Sequence, residues 1–248
     1  GRMGTYFITP GAGARGAEII YDRAGSVFAA AAADGIDWTE ALQGAGWLHL
    51  SGVTPAIGAT CAAAALRAAQ AARSAGLTVS FDGNFRKTLW DAWDGDPAAL
   101  LHPIFAEADL AFADHRDFSL VLGRDLASPE AAASAAFAAF PNLRMIAATR
   151  RIAGSADQQT LGAMLHARQA SLSAEPRALT GIVDRIGGGD AFAAGLIHGL
   201  RRGWTDQAAL DFALAAAVLK HSTWGDFNLA REDEILRLVA GGDADVRR

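Results

Sequence analysis

The residues best placed to do chemistry lie in one stretch, Val183-Asp184-Arg185-Ile186-Gly187-Gly188-Gly189-Asp190-Ala191-Phe192-Ala193-Ala194-Gly195-Leu196. Three consecutive glycines sit between an apolar, strand-like run and an apolar, helix-like one. With no side chains in the way, their N–H groups can converge on one anion, and the helix that follows adds the positive end of its dipole. Asp190 falls in the first turn of that helix. A carboxylate there is no anion ligand, but it can take a proton from a hydroxyl that attacks phosphorus. Phosphoryl transfer needs both parts, donors for the developing charge and a base for the nucleophile. The spacing is not the G-x-G-x-x-G of a dinucleotide site, and no Lys-Ser or Lys-Thr follows as in a P-loop. Taken alone, the run is also compatible with a flexible turn, and Asp190 with simple stabilisation of a helix end.

Such a loop needs a frame, and the chain supplies an alternating one. Thr5-Tyr6-Phe7-Ile8 and Glu18-Ile19-Ile20-Tyr21 are β-prone runs around the turn chemistry of Thr9-Pro10-Gly11-Ala12-Gly13, which predicts a hairpin or paired-strand excursion. Asp37 to Leu42 reads as a short capped helix and Trp47 to Leu50 as a strand. Pro55 suits a first helical position, with the helix running to Ser74 before Gly76. Leu77–Phe81, Asp109–Ala113 and Arg144–Ala148 read as strands, separated by helices over Pro97–Ala106 and Pro129–Phe140. Strands alternating with helices of this length predict βαβ units and a mainly parallel sheet with helices on both faces. Three helices close the chain, from Gly188 to Arg202, Asp206 to His221 and Glu232 to Val239. The abundant alanines point to close helix packing.

Composition narrows the function classes. Of 248 residues, 51% are hydrophobic and 20% charged, an ordinary globular mix. The 22 basic and 27 acidic residues leave a net charge of −5, which argues against general nucleic-acid binding. No apolar run reaches the roughly 18 residues of a membrane span. Cys61 is the lone cysteine, which excludes a disulfide framework, and its alanine-rich surroundings mark it as a small core residue. The opening residues do not read as a signal peptide, so a reducing, cytoplasmic setting is expected. The histidines show no metal-ligand spacing, although His115 and His221 fall near the segments singled out here. Trp204 and Trp224 are expected to pack, and Arg67, Arg73, Arg201 and Arg202 to be solvated surface charges.

The longer pattern carries more. Asp184-x-x-Gly187-x-Gly189-Asp190, followed by Ala191-Phe192-x-x-Gly195, resembles the C-terminal signature of the ribokinase-like sugar kinases, the PfkB family. Within it, the string Asp184 to Asp190 is most similar to that of the 2-keto-3-deoxygluconate kinases, as are Leu219-Lys220-His221 and Gly225-Asp226-Phe227-Asn228. The resemblance continues at Tyr21-Asp22-Arg23-Ala24-Gly25-Ser26, at Ser51-Gly52-Val53-Thr54-Pro55 and from Ser80 to Trp90, so it spans almost the whole chain in the family's order. It implies a three-layer α/β/α ribokinase-like fold with a mainly parallel sheet and a partial β-lid. It also implies ATP-dependent phosphorylation of a sugar acid at its terminal hydroxyl, 2-keto-3-deoxygluconate going to its 6-phosphate, with Mg2+ bridging the nucleotide phosphates.

The resemblance assigns roles residue by residue. Asp190 matches the catalytic base, and Gly187, Gly188 and Gly189 the anion hole. Arg23 and Arg86 match basic residues that hold the keto-deoxy acid, and Tyr6 and Tyr21 aromatic residues beside it. Gly225 and Asn228 fall in the loop bordering the nucleotide, and Thr149 at the end of a strand facing it. Chemistry supports the arginines independently, because a guanidinium offers a carboxylate a planar two-pronged donor. Arg86 also follows the strand Leu77–Phe81, where open parallel sheets place ligand residues.

Some positions depart from the family. Its Asn-x-x-Glu, tied to magnesium and phosphate positioning, corresponds here to Asp114-x-x-Asp117. Asp117 keeps a carboxylate and is the metal candidate, whereas Asp114 brings a negative charge that needs a nearby cation. The family's N-terminal region, with a strand and a Gly-Gly sugar contact, has no counterpart before Gly1. The expectation is therefore one kinase domain over residues 1–248, N-terminally incomplete and weakly active or inactive by itself, with residues 4–23 as the remnant of the lid and substrate-side strands. Pairing of two copies is implied only by the resemblance. Two alternatives stay open: another sugar kinase of this family, such as a fructokinase, and a non-catalytic sugar or nucleotide binder on the same fold.

Overall fold

A computed structural model describes residues 1–11, 15–153 and 158–242. The chain divides into two compact units. The first holds Gly1–Ile8, Ile19–Ala147 and His166–Ala170; the second holds Thr9–Glu18, Ala148–Leu165 and the chain from Ser171 on.

The first unit begins with β1 (Thr5–Thr9) and β2 (Glu18–Asp22), which form a two-stranded sheet of their own. There follow α1 (Val27–Ala30), α2 (Trp38–Ala41), β3 (Trp47–Ser51), a 3-10 turn at Pro55–Ile57, α3 (Ala59–Ser74), β4 (Thr78–Asp82), α4 (Lys87–Trp90), α5 (Pro97–Glu107), β5 (Leu110–Phe112), α6 (His115–Leu122), α7 (Pro129–Ala139) and the start of β6 (Met145–Ala153). Local chemistry fixes the helix starts. Asp37 caps α2 by accepting from Thr39 N at 2.9 Å, and Asp96 does the same for Ala98 N in α5, just ahead of Pro97. Ser128 caps α7 ahead of Pro129. These side chains satisfy N–H groups that the first turn leaves without intrahelical partners.

Strands β3, β4, β5 and β6 pair in that order, all parallel, with Leu50, Phe81, Ala111 and Ile146 in one row across them. The core of the unit packs against this row. Phe105 lies against Phe81, Phe118 and Phe140, with ring centroids 4.8, 5.3 and 5.8 Å apart. All four rings are buried, each worth roughly 1.5–3 kcal/mol on removal from water. The alanines Ala62, Ala65, Ala68, Ala69 and Ala72 of α3 are buried too, with Cys61 beside them. Burial pushes the Cys61 thiol up, and a hydrogen bond with Thr60 works the other way.

In the second unit β6 continues beside β7 (Gln158–Ala167), and β8 (Ser171–Thr180) lies beyond β7. Residues 168–170 are far too few for a parallel crossover, so β7 and β8 run antiparallel. Then come α8 (Gly188–Arg201), α9 (Asp206–Lys220) and α10 (Glu232–Val239). Helices α8 and α9 approach closely because α8 presents glycines: a Cβ on Gly195 would lie 2.8 Å from Ala213 Cα, and one on Gly199 2.7 Å from Ala209 Cβ. Trp204 packs edge-on against Phe212 at 5.1 Å, and Ile235 of α10 closes the same cluster. Among the described residues no helix is long and apolar enough to cross a membrane.

The structure corrects several expectations. Pro55 does not open the long helix. It starts a 3-10 turn that stops at Gly58, whose extended backbone separates it from α3. Strand β6 runs on to Ala153 because β7 pairs alongside it, so Thr149 is an exposed residue in mid-strand and not at a strand end. Arg73 is no free surface charge: it binds Asp109 at 3.0 Å, and Asp109 also accepts Val79 N. Trp224 does not pack; it is 70% exposed, next to Gly225. Elements α1, α4, α6, β7 and β8 had no counterpart in the reading of the sequence.

Candidate active-site residues

In the second unit the glycine run lies where a chain turning into a helix needs it. Gly187 is the residue before α8, at φ 75°, in the left-handed region, and a Cβ there would collide with the carbonyl oxygen of Asp226. Both constraints select glycine. Gly188 is buried, and a Cβ on it would lie 2.9 Å from His221 Cε1. Gly189 is exposed, with nothing within 4 Å of a Cβ position. Asp190 sits in the first turn of α8, exposed, and no hydrogen bond or ion pair holds its carboxylate among the described residues.

Three residues that sequence reasoning left without a role hold this run. Asp184 accepts Ile186 N and Gly225 N, each at 3.0 Å, and so ties the start of the run to the loop after α9. His221, at the end of α9, accepts Val183 N through its carbonyl at 2.8 Å, and its ring bonds Ala217 O and Arg151. Asp184 and His221 both stood in quoted motifs, whereas nothing in the sequence pointed to Arg151. Gly225, at φ 83°, is exposed. Asn228 spends its amide on its own chain, accepting Ala230 N at 3.0 Å and donating to Ala216 O at 3.4 Å, so it anchors the end of this loop to α9.

The first unit brings together a different set. The guanidinium carbon of Arg23 lies 5.3 Å from the ring centroid of Tyr21 and 6.0 Å from that of Tyr6. The pairing of β1 with β2 sets both rings beside it, where ring faces attract a cation. Among the described residues no carboxylate lies within ion-pair distance of Arg23, leaving its donors available to a ligand.

Arg86 stands beyond the end of β4, exposed, donating to Phe85 O at 3.1 Å. The turn that leads to it is specified by side chains. Asn84 takes φ 39°, its N–H bonds Asp82 Oδ1 at 3.1 Å, and its amide donates to Ser51 Oγ at 3.2 Å. Gly52 must be glycine, because a Cβ there would strike Gly83 O.

Asp117 is close by, with its Cγ 3.1 Å from a Cβ position on Gly83. Its Oδ2 accepts Asp114 N at 2.8 Å, closing a capping box on α6 in which Asp114 accepts Arg116 N and Asp117 N. Burial, with Asp114 beside it, pushes Asp117 up to about 6, against the pull of the Asp114 N–H bond, Arg116 and Arg86. Burial also raises Asp114, but the Arg116 side chain and the backbone bonds outweigh it and hold Asp114 below the ordinary carboxylate range. Arg116 is therefore the cation that the extra charge at Asp114 requires. Among the described residues no group of three or more His, Cys, Asp or Glu side chains is arranged to hold a metal ion, and Asp117 serves as a helix cap.

Comparison with known proteins agrees with this frame. The family model described as pfkB family carbohydrate kinase matches residues 2–228. A 2-dehydro-3-deoxygalactonokinase from Haloferax volcanii is 31% identical over 247 residues, covering 100% of this chain and 73% of that protein. A 2-dehydro-3-deoxygluconokinase from Bacillus subtilis is 28% identical over 189 residues, covering 75% of this chain and 53% of that protein. Among solved structures, the 2-dehydro-3-deoxygluconokinase of Thermotoga maritima superposes with a TM-score of 0.88 at 33% identity, covering 97% of this chain and 74% of that one. The mostly parallel sheet with its helices is thus a ribokinase-like fold, and the chain belongs to the pfkB family of carbohydrate kinases.

Proposed function

We propose that this chain takes part in transfer of the γ-phosphate of ATP to the terminal hydroxyl of a 2-keto-3-deoxy sugar acid, with 2-keto-3-deoxygluconate, going to its 6-phosphate, as the leading substrate. The observation that carries the acidic substrate is Arg23, set between Tyr6 and Tyr21 with no carboxylate in ion-pair reach among the described residues. A sugar carboxylate is a planar acceptor that suits such a group. Arg86 supplies a second cation for the same ligand, and the names of the two relatives support the substrate class.

In this reading the sugar hydroxyl oxygen attacks the γ-phosphorus, the bond from that phosphorus to the β-bridging oxygen breaks, and ADP leaves. Asp190 receives the hydroxyl proton, which suits an exposed carboxylate with no competing partner among the described residues. The N–H groups of Gly187–Gly189 receive the transferred phosphate at the N-terminus of α8. Magnesium, when bound, neutralises the nucleotide phosphates. Asp117, whose Oδ2 is engaged by Asp114 N, keeps one oxygen for such a cation. Thr149, Gly225 and Asn228 are assigned to the nucleotide side. Residues 4–23, of which 12–14 lie outside the described residues, are assigned to the lid and substrate-side strands, and the reaction to the cytoplasm.

The test is ADP release by the purified chain, with and without the family's N-terminal region supplied, given ATP and 2-keto-3-deoxygluconate, 2-keto-3-deoxygalactonate or fructose. Phosphorylation of the two acids at least about tenfold faster than fructose is the expected result, given that two charged contacts are at stake. Equal or faster turnover of fructose overturns the acidic substrate.

A further inference from the structure

His221 is 3% exposed and stands against Gly188. Both of its ring nitrogens are engaged. Nδ1 lies 2.6 Å from the carbonyl oxygen of Ala217, which can only accept, so Nδ1 carries the proton. Nε2 lies 2.8 Å from Nη2 of Arg151, a guanidinium nitrogen that can only donate, so Nε2 offers its lone pair. These two contacts specify one neutral tautomer, and an imidazolium with N–H on both sides has no place between them. Nη1 of Arg151 donates to Gln159 Oε1 at 2.6 Å, which fixes the guanidinium from the neighbouring strand.

The electrostatics point the same way. Burial holds the His221 ring below the ordinary histidine range, and the charged groups acting on it are Arg151, Lys220 and Arg185, all cations; only the Ala217 carbonyl opposes them. Arg151 has two neutral acceptors as partners and a second cation, Arg185, near it. The pair therefore does not neutralise charge. What it holds is the orientation of a ring whose Cε1 edge leaves room for hydrogen alone at Gly188.

We propose that Arg151 is a positioning residue for phosphate transfer: by keeping His221 in this tautomer it fixes the ring edge against which Gly188 rests, and through it the aim of the N–H groups of Gly187–Gly189. This rests on reading those glycines as the phosphate-receiving loop. The backbone bond from Val183 N to His221 O extends the same hold to the segment entering the loop.

The test follows the His221 ring by NMR through a pH titration, with its signal assigned from a His221→Gln spectrum, alongside steady-state kinetics with ATP and 2-keto-3-deoxygluconate. Arg151→Met removes the donor and keeps the stem; Arg151→Lys returns a donor. In Arg151→Met the ring is expected to titrate at higher pH than in the unmutated chain. The kcat should fall about tenfold, less than the roughly hundredfold that loss of a direct anion-hole donor costs, with KM for the sugar acid within about twofold. Arg151→Lys should recover part of both, and it carries the comparison if Arg151→Met does not fold. A ring titration unchanged in the folded variant overturns the proposal, as does a shifted titration with kcat within about twofold. Absence of ATP-dependent turnover in the unmutated chain bears on the kinase reading and not on the pair, whose fate the ring titration then decides by itself.

Discussion

The carboxylate of Asp184 accepts two backbone N–H groups 39 residues apart, Ile186 N with one oxygen and Gly225 N with the other, each at 3.0 Å. It is a strut between the chain entering α8 and the loop leaving α9. Asp184→Ala strips both N–H groups of their acceptor. The expected cost is about 2 kcal/mol, read as a lower urea midpoint, together with a raised KM for ATP. An unchanged midpoint and unchanged ATP kinetics contradict the strut.

Asp190→Asn keeps the shape of the first turn of α8 and removes the basic oxygen. A side chain in the proposed role of proton acceptor contributes on the order of 10²–10⁴ in rate. The variant should therefore lose at least about a hundredfold in kcat while still binding sugar and ATP, which calorimetry can check. Retention of turnover within a few-fold removes Asp190 from the chemistry, whereas binding without turnover in both forms favours a binder on this fold.

Arg23→Met loses the charge but keeps an apolar stem against Tyr21. A charge-assisted hydrogen bond is worth about 1.5–3 kcal/mol, so KM for the keto-deoxy acid should rise roughly 10- to 100-fold. Turnover of fructose, which has no carboxylate, should hardly change. Equal losses on both sugars mean that Arg23 supports the strands and does not read the acid group.

Asp117 links the fold to pH. Its carboxyl titrates at about 6 in the folded chain, against 3.8 as its ordinary value. Between these values the folded state binds more protons than the unfolded one, so stability falls as pH rises from about 4 to about 6. The ceiling is about 3 kcal/mol for a shift of this size, and partial solvent contact lowers it. Asp117→Asn should remove this component, so that the variant gains on the unmutated chain at pH 7.5 relative to pH 4.5 in urea unfolding. A difference that does not vary with pH refutes the burial account of Asp117.

Some of this was legible in the chain and some was not, for physical reasons. The βαβ order could be read because its punctuation is explicit: Asp37, the Asp96-Pro97 pair and the Ser128-Pro129 pair each mark a helix start with their own side chains. The glycine run fell where it was expected, at the mouth of α8. Strands β7 and β8 could not be read. Gly162 and Pro176 weaken the strand signal, and they face each other, with a Cβ position on Gly162 3.6 Å from Pro176 Cγ; Pro176 is tolerated because β8 is last in the strand order. The Arg151–His221 contact joins residues 70 apart in sequence, and local spacing carries no trace of it. Arg116 could have been found: a basic residue two positions after Asp114, at the start of a helix, is within reach of its carboxylate.

The glycines of α8 that meet α9 have a consequence at the other end of the helix. With Gly195 and Gly199 seated on Ala213 and Ala209 at less than 3 Å from a Cβ position, α8 has no slack to slide or roll. Contacts about two and three turns away thus constrain the direction of its N-terminal dipoles. In the proposed reaction an arriving phosphate would then meet donors that need little reorientation, and preorganisation of this kind lowers a barrier dominated by electrostatics. Enlarging either glycine should thus slow chemistry at a distance, by unlocking the helix without touching the loop.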